Sequence, residues 1–144
     1  MGYAHYWDRR NETVTTEQWN SFTDDVRKIF KKHADILCRE SSMKDRVPVV
    51  DDTEVRFNGK EGYETCLIQR DFHQVEWRSE TDLSFNFCKT AHKPYDAVVV
   101  AVLSCLRHYM GDVFIIDSDG DDKTFPAYED LVSIYEFEPK QIAV

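Results

Sequence analysis

Residues 85–111, FNFCKTAHKPYDAVVVAVLSCLRHYMG, decide the fold, because a strand-like run passes through a polar junction straight into an apolar helix. Pro94 fits the first helical turn, where its missing N–H costs nothing. Gly111 supplies a helix stop, and His108 stands in the last turn, where a cation is favoured. Residues 97–106 are Ala, Val, Leu, Ser and Cys only, so this helix must be covered on most sides. The β-branched run Val98-Val99-Val100 means that packing overrides helix propensity.

Outward from this helix, the period of the apolar residues sets the remaining elements. Residues 54–58 and 63–69 flank Gly59-Lys60-Glu61-Gly62, a hairpin signal that predicts antiparallel pairing. Short strands are expected at 2–7, 47–50, 75–77 and 83–87, with Pro48 keeping its strand at an edge and a turn at 79–82. A buried strand is expected at 112–117, and a short helix from Pro126 through 135, with the tail from 136 loosely held. Residues 8–13 read as a polar loop. Thr15 and Gln18 form a capping-box pattern before a helix expected over 16–38. Its inner face is Trp19, Phe22, Val26, Ile29, Phe30, His33 and Leu37, and its solvated face Asp24, Asp25, Arg27, Lys28, Lys31 and Lys32. The prediction is one α+β domain over 1–144: a mainly antiparallel sheet packed against two main helices, with a short C-terminal helix.

Composition narrows the function classes. With 144 residues, 42% of them hydrophobic, the chain is long enough for one well-formed core. The net charge of −9, from 27 acidic against 18 basic residues, argues against gripping duplex nucleic acid, which rests on clustered Lys and Arg. Cys38, Cys66, Cys88 and Cys105 form no C-x-x-C pair, so reduced thiols are expected. No leader-like or membrane-length apolar run is present, and Tyr6 removes the myristoylation signal after Gly2, so the expectation is cytoplasmic.

The polar junction is the leading candidate site. Lys89, Thr90, His92, Lys93, Tyr95 and Asp96 surround a helix start, where backbone N–H groups and two ammonium groups suit a phosphate or carboxylate. His5, Tyr6 and Trp7 supply an aromatic wall for a base to stack on. Arg70, His73, Trp77 and Arg78 form a second basic and aromatic group. The expected ligand is thus an anionic small molecule, of nucleotide type, held without turnover, with Lys89 and Lys93 neutralising charge and Thr90 fixing orientation. The alternative is an enzyme acting on such a compound, with His92 or His73 as acid or base and Asp96 as orienter. A third reading is an acidic interaction module that engages a host protein.

Other motifs are absent or incomplete. There is no P-loop, no H-E-x-x-H and no G-x-S-x-G, so neither a cofactor nor a metal is expected. The DSDGDD run at 117–122 departs from an EF-hand, with Gly120 at the fourth place and Tyr128 where the bidentate Glu belongs, and it reads as a solvated turn. Cys88 beside Lys89 is a candidate nucleophile. The aromatic content leaves room for a homodimer.

The segments GYAHYW at 2–7 and FNFCKTAHKPYD at 85–96, with Phe57-Asn58-Gly59 and the Asp-rich turn at Asp117, together resemble a family of small phage and bacterial proteins with a GY-x-HYW-like start and an FCKTA-x-KPYD-like motif. The resemblance implies a phage accessory protein working in the host cytoplasm. By analogy of context it suggests anti-defence sequestration of a signalling nucleotide.

Overall fold

The computed structural model describes residues 3–72, 83–120 and 124–138. β1 (Ala4–Arg10) is the central strand of a three-stranded antiparallel sheet, between β6 (Leu83–Lys89) and β7 (Phe114–Ser118). His5 pairs with Cys88 on one side and Ser118 on the other, and Trp7 with Asn86 and Ile116. Alternation sends His5, Trp7 and Arg9 inward, where all three are buried, and Tyr6 and Asp8 to the outer face. Phe87 and Ile115 remain exposed on that outer face.

A second antiparallel group gathers around β4 (Glu54–Gly59). It pairs with β2 (Leu37–Cys38), β3 (Val49–Val50) and, through the expected hairpin, β5 (Cys66–Gln69). Asn58 holds the hairpin from within: its side-chain oxygen accepts from Gly59 N–H at 2.7 Å and its amide donates to Tyr63 O at 3.1 Å.

Over these sheets lie α1 (Thr16–Lys32), α2 (Asp96–Met110) and α3 (Tyr128–Tyr135). α2 is the central helix, packed against α1, β7 and α3, with ten of its residues buried. Its exposed minority, Ala97, Arg107 and His108, sits at its two ends. The result is a small α+β domain with three helices and seven antiparallel strands among the described residues.

Several expectations shift. α1 ends at Lys32 rather than at 38: a 3-10 turn at Ala34–Ile36 follows, and Leu37 and Cys38 pair with Gly59 and Asn58 of β4. The expected polar loop from Asp8 is still strand through Arg10. Arg9 points inward because its guanidinium finds carbonyls: Arg70 O at 2.5 Å, Glu12 O at 2.9 Å and also Arg10 O. Asp25 leaves the solvated face; it is buried and accepts from Tyr109 at 2.7 Å and Tyr128 at 2.5 Å, joining the three helices. β7 is not buried throughout, since Ile115 and Asp117 face outward. The tail is anchored through Phe137, which is buried and stacked against Tyr128 and Tyr135. The strand expected at 75–77 and the turn at 79–82 lie outside the described residues.

Candidate functional site

The loop from Thr90 to Tyr95 carries the chain from β6 into α2 and is folded back on the first strand. Both Thr90 N–H and Ala91 N–H donate to Tyr3 O, at 2.9 and 3.1 Å. Ala91 (φ 51°) and His92 (φ 58°) then take left-handed conformations in succession, which non-glycine residues adopt only when their surroundings enforce it. The His92 ring stacks on Tyr3, with centroids 3.8 Å apart. Lys93 N–H donates to Thr90 O and Asp96 N–H to Lys93 O, so two turns precede α2, and Pro94 lies in the second of them.

Below this loop, polar side chains from three elements meet. His5 Nδ1 is 2.7 Å from Ser118 Oγ, and His5 Nε2 is 2.7 Å from Asp96 Oδ1. Thr90 donates to the same Asp96 oxygen at 2.6 Å. Burial pushes the Asp96 carboxyl up, but the hydrogen bonds from His5 and Thr90, with the nearby His5 and His92 rings, outweigh it and hold it below the usual carboxylate range. Its place in the first turn of α2 adds the favourable helix dipole.

A groove of about 420 Å³ runs from this point along α2 towards α3. Tyr3, Asp96 and Thr124 stand along it with the apolar Val100, Leu131 and Ile134. Its polar end is therefore formed by Asp96 and by Tyr3, on whose ring His92 stacks, and its body is largely hydrocarbon.

Of the residues expected at the site, His5, Thr90, His92 and Asp96 gather here, and Lys93 follows in the same loop with its N–H on Thr90 O. His5 and Thr90 are sealed beneath the surface, so Thr90 orients Asp96 rather than a ligand. The others are separated by the pleat and the core. Lys89 follows the buried Cys88 in β6 and belongs to the opposite sheet face, with Tyr6. Tyr6 donates to Asp119 Oδ1, and that bond, with burial and the Asp119 charge, raises its pKa. Trp7 is core. Tyr95 is buried and donates to Glu64 O at 2.6 Å; burial first, then the neighbouring thiols, push its hydroxyl well up. Arg70 lies at the far end of β1, donating to Thr16 Oγ1 at 3.0 Å and Val14 O at 3.3 Å. His73, Trp77 and Arg78 lie outside the described residues.

Other candidates are used structurally. Cys88 is buried with its Sγ 3.5 Å from Glu64 O, closed to substrate. His33, expected in the core, is only half-buried, its Nε2 2.9 Å from Tyr135 Oη. In the Asp-rich turn, Asp119 Oδ2 accepts from Ala4 N–H at 3.0 Å. No group of three metal-ligating side chains occurs among the described residues.

Tyr3, which alternation along the first strand puts on one face with His5, does line the groove. Ser118 is the participant the sequence did not single out, since it reads as part of the Asp-rich turn. Period-two spacing along FIIDS places Ser118 on the inward face with Phe114 and Ile116, and a hydroxyl at such a position was the available signal. No helix among the described residues is long and apolar enough to cross a membrane. No family model, curated protein or solved structure matches the chain.

Proposed function

We propose that the protein binds a small molecule with an anionic end at the start of α2. Lys93 and His92 meet the charge, and the groove between α2 and α3 receives the rest of the ligand. The observation that carries this reading is the Tyr3–His92 stack at the polar end of the groove, on a loop with two successive left-handed non-glycine residues. Such backbone strain costs on the order of 1–3 kcal/mol per residue and concentrates where a ligand is clamped. A nucleotide suits this arrangement, because its phosphate matches Lys93 and its base matches an apolar and aromatic cleft. Lys89 contributes at most long-range charge from the other face of the sheet. Sequestration of a nucleotide signal by a phage accessory protein is the biological role that the sequence resemblance suggests for such a pocket.

Thermal melts with adenosine monophosphate and with inorganic pyrophosphate test the reading. A ligand at 100 times its Kd stabilises the folded state by about 2.7 kcal/mol, a shift of several degrees for a domain of this size. Lys93→Glu should abolish the shift while leaving the unliganded melt unchanged, and Lys89→Glu should retain most of it. A shift lost with Lys89→Glu but kept with Lys93→Glu would contradict the assignment.

A further inference from the structure

Ser118, His5 and Asp96 come from the end of β7, the second residue of β1 and the first of α2, and they form one continuous chain of hydrogen bonds. The direction of the protons can be worked out from the partners. With Asp96 ionised, its Oδ1 only accepts, taking the Thr90 hydroxyl at 2.6 Å and the His5 Nε2 proton at 2.7 Å. His5 Nδ1 is then left with a lone pair. Ser118 Oγ already accepts Gly120 N–H at 3.0 Å, so its own proton is directed at Nδ1, 2.7 Å away. A hydroxyl donating to an imidazole that in turn donates to a fixed carboxylate is the arrangement that activates a serine for attack. Here the two ring nitrogens exchange their usual partners, which leaves the relay intact because imidazole accepts at one nitrogen while donating at the other.

The surroundings fit chemistry as well as cohesion. His5 is fully buried, edge-on to Tyr3 at 5.2 Å and 5.7 Å from Phe125, whereas Ser118 is partly accessible. Tyr3 and Thr124, both on the groove wall, pack against Gly120, two residues beyond Ser118. A Cβ on Gly120 would meet Thr124 Oγ1 at 2.0 Å and Tyr3 Oη at 2.5 Å. The relay therefore reaches the groove wall at Asp96, and Tyr3 and Thr124 stand between the groove and the turn that carries Ser118.

We propose that Ser118 is a nucleophile towards carboxylic esters seated in this groove, with His5 as general base and Asp96 as the residue that positions His5. Ser118 Oγ bonds to the ester carbonyl carbon as its proton passes to His5 Nδ1. The bond from that carbon to the alcohol oxygen breaks, and the alcohol leaves with this proton. Water then attacks the acyl-serine, gives a proton to Nδ1, and Ser118 departs with it, so one ester and one water become one acid and one alcohol. This inference shares the groove with the binding reading but not the charge of Lys93, so the two fail separately.

The test treats the folded full-length protein with a fluorophosphonate probe and follows hydrolysis of p-nitrophenyl butyrate. The expected result is one adduct, mapped to Ser118, that is absent from heat-denatured protein. Ser118→Ala should abolish it, and His5→Gln should slow labelling by about 100-fold or more. Asp96→Asn should slow it and alter its pH profile, which a purely structural role would not do. An unlabelled folded wild type, or equal labelling of Ser118→Ala, would overturn the proposal whatever the other variants do.

Discussion

Ala91, His92 and Glu136 are the non-glycine residues with positive φ among the described residues, and they separate two uses of strain. Glu136 ends α3 in the left-handed conformation that glycine prefers, with its carbonyl taking Lys28 Nζ at 2.9 Å. Glu136→Gly should therefore raise stability by about 0.5–1 kcal/mol in urea unfolding, with ligand binding unchanged. Ala91→Gly should stabilise the free protein to a similar degree yet weaken binding, because it loosens the loop that presents His92 and Lys93. Equal affinity in that variant would show that the loop conformation plays no part in the site. Asp25 makes a third case at this scale. Its carboxylate takes two tyrosine hydroxyls in the interior, and Asp25→Ala should cost roughly 1–3 kcal/mol by leaving them with too few partners.

At the scale of the elements, α2 and α3 are joined by the His108 ring, which stacks on Tyr128 at 3.6 Å and nearly parallel. Although its residue is largely exposed, the His108 ring loses water on the face stacked against Tyr128, and this desolvation lowers its pKa against a smaller upward pull from Asp25 and Glu129; desolvation with Lys32 lowers that of His33 beside Tyr135. Both groups have a folded pKa below the unfolded value, so the unfolded chain takes up protons first on acidification. Their contribution is complete above about pH 6.5 and is lost as pH falls toward the lowered folded values. Urea midpoints should drop between pH 7.5 and 5.5, and His108→Gln should flatten that drop; an unchanged slope would contradict the account.

The elements also mark what local pattern can reveal. The capping box at Thr15 and Gln18, the apolar run of α2 and the hairpin glycines were legible because each rests on near neighbours in sequence. The end of α1 was not, since Leu37 and Cys38 leave the helical pattern only to pair with Gly59 and Asn58, about twenty residues on. Arg9 and Asp25 misled for a related reason: a charge reads as solvated until its buried partners, here distant carbonyls and phenols, are known.

For the whole molecule, the junction before α2 was visible in sequence as a polar stretch ahead of an apolar helix, and the side chains of His5, Thr90, His92 and Asp96 lie together there. The pleat of β1 and β6 divides the rest, sending Lys89 and Tyr6 outward and Trp7 into the core, and only the strand register decides that division. The Ser118 contact needed the β1–β7 pairing across more than a hundred residues. The most direct test of the central claim is native mass spectrometry of the wild type and Lys93→Glu, before and after denaturation, with added adenosine monophosphate as the probe. The account predicts a bound anionic small molecule on the native wild type, released by denaturation and absent from Lys93→Glu. A wild type that stays empty at saturating probe and carries no released compound, or a variant that retains the same ligand, would contradict it.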